Sequence, residues 1–166
     1  MAESTLSTIG RTAKKATIGA IRGGGDIGEA VLETSADLIK TAVTGVSDVS
    51  ATATDAASKI VRGAVHAAAE VGADVLVTIK ATVQGIIKGG SEVGADVGEV
   101  AVSATKAGIQ AAEEVGADAG GALKSAATGA IKGAAEIGED TVQGVRDVLV
   151  TSIDGAKDVI KEPFKE

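Results

Sequence analysis

The pentapeptide Glu-Val-Gly-Ala-Asp occupies residues 70–74, 92–96 and 114–118, and a variant, Glu-Ile-Gly-Glu-Asp, occupies residues 136–140. Each copy begins 22 residues after the previous one, as the first positions 70, 92, 114 and 136 show. The same step continues in both directions, from residue 26 to residue 158, without an insertion or a deletion. A fixed period of this length is the sequence signature of a repeat architecture.

The period predicts amphipathic helices. Twenty-two residues are two stretches of eleven, and eleven residues make three helical turns at about 3.67 residues per turn. On this period one column falls at the centre of an apolar face that covers about half of the helix circumference. That column consists of Ile27, Val49, Val71, Val93, Val115 and Ile137. A second apolar column, from Ile21 to Ile153, falls towards one edge. A β-solenoid has repeats of similar length, but alanine, glutamate and lysine are poor strand formers.

Two glycine clusters are the candidate hinges between these helices. Gly24 and Gly25 precede Asp26, a candidate N-cap, and Gly89 and Gly90 precede a serine that can cap the next helix. Acidic residues open each repeat and basic residues close it. Acidic pairs four residues apart repel each other within a continuous helix, but a helix N-terminus favours them.

The hinges divide the chain into five segments. They are a partial repeat with its hinge (1–25), a first helical array (26–88), a break (89–91), a second helical array (92–160) and a tail (161–166). Each array would span about 95–100 Å as one helix at 1.5 Å per residue. The sequence therefore predicts an all-α protein of two long helices, which can fold as an antiparallel hairpin or bundle. It leaves open whether the chain bends or reverses at each hinge.

Glycine supplies 23 of the 166 residues, and each glycine inside a helix costs about 1 kcal/mol relative to alanine. One glycine column lies on the apolar side of the repeat: Gly72, Gly94, Gly116 and Gly138. We expect this column at close helix–helix contacts, together with the small-residue steps Gly85/Gly89, Gly116/Gly120 and Gly129/Gly133. The alternative is a chain that stays largely disordered until a surface supplies the apolar contact.

Composition and motifs exclude several classes of chemistry. A net charge of -7 disfavours nucleic-acid binding, and the absence of cysteine excludes disulfides and thiol catalysis. His66 is the only histidine, so it cannot assemble a zinc site, and we expect it on a solvated polar face. Residues 23–28 fit Gly-x-Gly-x-x-Gly, but no strand precedes them, which favours a hinge over a dinucleotide site. We predict no catalytic, cofactor-binding or metal site, and therefore no enzyme.

The chain also lacks the segments that mark secretion or membrane crossing. Residues 1–15 contain no apolar core of the signal-peptide type. The longest stretch without Asp, Glu, Lys or Arg is seven residues, as in residues 41–47, whereas a spanning helix needs about 20 apolar residues. We expect a cytoplasmic protein, either free or at the periphery of a membrane or lipid surface.

Two segments resemble a known physical class of proteins. Thr-Lys-Ala-Gly-Ile at residues 105–109 and Thr-Val-Gln-Gly-Ile at residues 82–86 resemble the Lys-Thr-Lys-Glu-Gly-Val core of synuclein repeats. The eleven-residue period and wide apolar face are similar to those of synucleins, perilipins, exchangeable apolipoproteins and late-embryogenesis-abundant (LEA) proteins. The resemblance implies a role at lipid surfaces or in stress protection.

Three functions fit these patterns. The first is a peripheral protein that lays its apolar face on a lipid or membrane surface. The second is a structural protein that packs on itself as a hairpin, bundle or filament, with further copies of the chain as partners. The third is an LEA-like protectant against desiccation. No small-molecule substrate is expected for any of them.

Overall fold

A computed structural model describes the backbone of residues 2–23 and 26–161 and the side chains of residues 8–23 and 26–160. These residues form helices joined by short turns, and no strand occurs among them. The all-α prediction is confirmed. The helices are α1 (Ala2–Arg22), α2 (Ile27–Ala42), α3 (Val49–Glu70), α4 (Val75–Glu92), α5 (Val97–Glu114), α6 (Ala119–Ile137), α7 (Glu139–Ser152) and α8 (Ala156–Lys161).

The repeated pentapeptide forms the turns between these helices. Gly72 adopts a φ of +74°, in the left-handed region that glycine occupies without strain. The next N–H, of Ala73, donates to the carbonyl of Ala68 at 2.8 Å, which is the hydrogen bond of a Schellman C-cap. Asp74 then caps α4, because its side chain accepts the N–H of Val77 at 3.0 Å. The two following turns repeat this geometry with Gly94 and Asp96, and with Gly116 and Asp118.

The prediction of two long helices over residues 26–88 and 92–160 is wrong. The chain ends a helix at each of the three Glu-Val-Gly-Ala-Asp copies, since a left-handed glycine and an aspartate N-cap follow one another there. The predicted hinge at Gly89 and Gly90 is also wrong, because both glycines are buried inside α4. Gly24 and Gly25 lie outside the described residues, although Asp26 caps α2 as predicted.

The helices stack in two layers. The odd layer contains α1, α3, α5 and α7, and the even layer contains α2, α4, α6 and α8. The most extensive contacts join α1 to α3, α2 to α4 and α4 to α6, which are next neighbours within a layer. Consecutive helices connect the layers. Each helix thus packs against its neighbours in the chain and against the next helix of its own layer.

The core between the layers consists mainly of alanine, valine and isoleucine, with two leucines. The apolar column from Ile21 to Ile153, expected at an edge, is largely central: Val43, Val65, Ile87, Ile131 and Ile153 are all buried. The column expected at the centre lies instead at helix ends. Ile27 and Ile137 are 38% and 42% exposed, and Val49, Val71, Val93 and Val115 are only partly buried. The prediction was wrong because it projected the whole repeat onto one continuous helix. Each turn begins a new helix with its own orientation, so the positions on that single projection do not correspond to the buried faces of the separate helices.

Candidate functional site

The predicted close-packing glycines Gly72, Gly94, Gly116 and Gly138 do not lie at helix contacts. A Cβ added to any of them would meet no heavy atom within 4 Å. The first three supply the positive φ of the turns, and Gly138, with a φ of 162°, is the extended residue between α6 and α7. Their position on the apolar side of the repeat therefore reflects where helices end and not where they touch.

Other glycines do bring helices together. A Cβ on Gly85 or Gly129 would collide with the carbonyl oxygen of Leu32 or Lys80 on the neighbouring helix of the same layer. Gly89 and Gly133, one turn further on, are equally crowded by the helix that they face. The predicted steps Gly85/Gly89 and Gly129/Gly133 are thus confirmed. The predicted step Gly116/Gly120 is not, since Gly120 meets only the side chain of its own N-cap.

Polar links run beside these crossings on the outside of the stack. Lys40 donates to Glu92 at 2.9 Å, Arg62 to Glu114 at 2.8 Å and Gln84 to Glu136 at 2.6 Å, each across 52 residues of sequence. The hydrogen bond with Lys40 lowers the pKa of Glu92, and the same bond raises the pKa of Lys40. Within one helix pair, Gly85 faces Leu32 and Gly89 faces Ala36, so the contact advances by one turn in the same direction on both helices and α4 runs parallel to α2.

One groove stands out by its charge. Gly10 of α1 and Gly63 of α3 bring these helices into backbone contact, since a Cβ on Gly63 would lie 2.5 Å from the Gly10 carbonyl oxygen. A shallow groove of about 340 Å³ opens along this crossing. Its lining contains only basic or titratable side chains besides the two glycines: Arg11, Lys14, Lys59, Arg62 and His66. The close approach of the two backbones is what gathers these side chains into one place.

Acidic side chains at the rim balance only part of this charge. Lys14 lies 3.0 Å from Glu70, and Glu114 lies 2.8 Å from Arg62 and 3.0 Å from His66. The hydrogen bonds from Arg62 and His66 lower the pKa of Glu114. The side chain of His66 is 43% exposed, as expected for a solvated face, but it also has a defined partner in Glu114.

Arg11 and Lys59 differ from the other groove residues. No carboxylate of the described residues lies within 4.0 Å of either cation. The groove thus presents four full positive charges against two carboxylates, in a protein whose net charge is -7. No pattern in the sequence predicted this groove. The available signal was that the charges of residues 8–23 are all basic, namely Arg11, Lys14, Lys15 and Arg22.

A second groove, of about 480 Å³, lies further along the odd layer between α3, α5 and α7. Serine and threonine hydroxyls, Gln110, Lys106 and the apolar Val102 and Val148 line it. Its chemistry is mixed, and its hydroxyls have no histidine beside them to act as a base.

The described residues offer no other recognisable centre. They contain no group of three His, Asp or Glu side chains that could hold a metal ion. None of their helices is both long enough and apolar enough for a membrane crossing. A comparison of the chain with protein-family models and with curated proteins finds no match.

Proposed function

We propose that the protein is a non-enzymatic structural protein, a folded helical scaffold that acts through contacts made by its surface. The observation that supports this proposal most directly is the burial of the apolar side chains. Isoleucine and valine fill the space between the two layers, so the helices cover one another's apolar faces. This corresponds to the self-packing reading of the repeat.

The surface of the described residues supports the same proposal. The large apolar side chains exposed there are Ile27, Val77, Ile137 and Val150, which stand on four different helices. A few exposed apolar side chains are normal for a protein surface. Insertion of a wide apolar face into a lipid surface would therefore require the stack to open and expose its core.

Peripheral lipid association is the second candidate function, but by another route. The cationic groove between α1 and α3 can contact an anionic lipid surface while the stack stays closed. This route uses charge in place of apolar insertion. An LEA-like role, which depends on disorder in water, has the least support, because crowded glycines and capped turns need a defined fold.

The test is far-UV circular dichroism with thermal melting, in buffer and with vesicles, combined with light scattering. We expect high helicity and one cooperative melt in buffer, with little change on adding vesicles of any charge. Weak helicity and an unfolded hydrodynamic radius in buffer, followed by strong helicity on vesicles, would overturn the scaffold proposal. A mass above the 16.1 kDa of one chain would show that copies assemble further.

A further inference from the structure

We infer that the groove between α1 and α3 binds a phosphate group, through the guanidinium of Arg11 and the ammonium of Lys59. This inference does not depend on the scaffold role. It rests on how the two helices cross and on which charges they leave without an acidic neighbour. The ligand is named by its chemistry, and the phosphate can come from a lipid headgroup or from a free phosphate compound.

The crossing of α1 and α3 brings cations from both helices to one groove. Because Gly10 and Gly63 lie in backbone contact, side chains from α1 and α3 stand on the two sides of one narrow channel. Arg11 follows Gly10 directly, and Lys59 and Arg62 lie on the turn before Gly63. Cations from two helices therefore face the same volume.

The charges of the groove are incompletely paired. Lys14 and Arg62 have carboxylate partners at 3.0 Å and 2.8 Å, but Arg11 and Lys59 have none among the described residues. Other described cations, such as Lys106 and Lys132, also lack a carboxylate within 4.0 Å. Arg11 and Lys59 differ from them because they line one groove together with two further cations, Lys14 and Arg62.

The donor groups of the groove determine which anion fits it. Guanidinium presents a planar fork of N–H donors that matches two phosphate oxygens, and ammonium adds a point charge. The groove is open to solvent and holds about 340 Å³, so it can admit a headgroup that remains attached to a larger surface. A carboxylate competes less well here, because it offers fewer acceptor oxygens to cations on both walls.

The decisive variant is Arg11→Gln with Lys59→Gln, which removes both charges and breaks no ion pair of the described residues. Binding is measured by flotation with phosphatidylcholine vesicles, with and without phosphatidylglycerol, and by calorimetric titration with tripolyphosphate. We expect the wild type to bind a phosphate-bearing probe and the variant to bind it about 30-fold more weakly, at about 1 kcal/mol per cation. The matched control is Lys106→Gln with Lys124→Gln, two exposed lysines outside the groove.

The outcomes separate the two sources of phosphate. Binding to phosphatidylglycerol vesicles that is lost in the groove variant supports a lipid headgroup. Binding of tripolyphosphate alone, again lost in the groove variant, supports a free phosphate compound. The inference is overturned if neither probe binds, or if the groove variant and the matched control lose equal affinity. Circular dichroism of each variant checks that the stack is intact, and this readout also reports separately on the scaffold proposal.

Discussion

At the helix crossings, Gly85 and Gly129 lie inside helices, and a Cβ on either would collide with a carbonyl oxygen of the facing helix. In the turns, Gly72 and Gly94 have open space around them, but their φ values are +74° and +80°. The first pair must be glycine because the facing helix leaves no room for a side chain. The second pair must be glycine because its backbone has a positive φ. The same residue type, repeated through one sequence, therefore meets two independent physical requirements.

This difference shows how a chain so rich in glycine can hold a fold. A glycine in a helix interior costs about 1 kcal/mol, but at a crossing it lets two backbones approach, and the surrounding side chains gain contacts. A glycine at a helix C-terminus has no such cost, since a left-handed residue is needed there. The penalty that composition alone suggests is thus offset at both kinds of position.

The largest expected effect is at a crossing. Gly129→Ala places a methyl group against the backbone of Lys80, which cannot rotate away, so α4 and α6 must separate. We expect a loss of about 3 kcal/mol in the free energy of unfolding, or about 10 °C in melting temperature. The control is Gly144→Ala in α7, where an added Cβ meets nothing within 4 Å. This substitution should raise the free energy of unfolding by about 0.5–1 kcal/mol, because alanine favours a helix over glycine. Equal effects of the two substitutions would show that α4 and α6 are not in close contact.

A smaller loss of stability is expected for substitutions in a turn, and alanine and asparagine should rank differently there. Gly94→Ala should cost about 1–2 kcal/mol through backbone strain alone, and Gly94→Asn should cost less, because asparagine tolerates the left-handed region. At the crossing we expect the reverse order, with asparagine more destabilising than alanine. Gly129→Asn adds more atoms than Gly129→Ala at a position that has no room for a side chain. Chemical denaturation of the four variants measures both orders. If asparagine ranked below alanine at residue 94 as well, crowding and not φ would govern the turn.

The sequence was sufficient to predict the all-α class and the N-cap at Asp26, because helical periodicity and capping depend on residues close together in the chain. The small-residue spacing also predicted two of the close glycine steps, but it did not identify the helices that these glycines contact. The sequence also contained a local signal for the turns between the helices. A glycine followed two residues later by aspartate, as in Gly72 and Asp74, combines a C-terminal glycine with an N-cap. The uninterrupted eleven-residue period outweighed that signal in the prediction. The acidic pairs that would repel in a continuous helix were the evidence against it.

Gly89 and Gly90 show the opposite error. They resemble a break, and Ser91 resembles a cap, but the Ser91 hydroxyl donates back to the carbonyl of Lys88 at 2.9 Å within α4. Gly89 is small because Ile39 and Ala36 of α2 pack against it. No local pattern contains that information, since α2 contributes it from about fifty residues earlier. The cationic groove is hidden for the same reason, because Gly10 and Gly63 meet only when α1 and α3 stack.

The most specific and smallest effect concerns the polar links beside the crossings. The pKa values of Glu92 and Glu114 lie below their ordinary value of 4.5 in the folded protein, because Lys40 bonds the first and Arg62 and His66 bond the second. A carboxyl group whose pKa falls on folding stabilises the fold fully above its unfolded pKa, and this stabilisation is lost as pH falls through the folded pKa. Melting temperature should therefore decline as the solution is acidified below about pH 4.5. The double variant Glu92→Gln with Glu114→Gln should show a slightly smaller decline of melting temperature with acidification than the wild type. The matched double variant Glu29→Gln with Glu33→Gln should show a steeper decline than the first variant. An identical decline in both variants would show that solvent screens the links fully and that the apolar crossings alone hold the layers together.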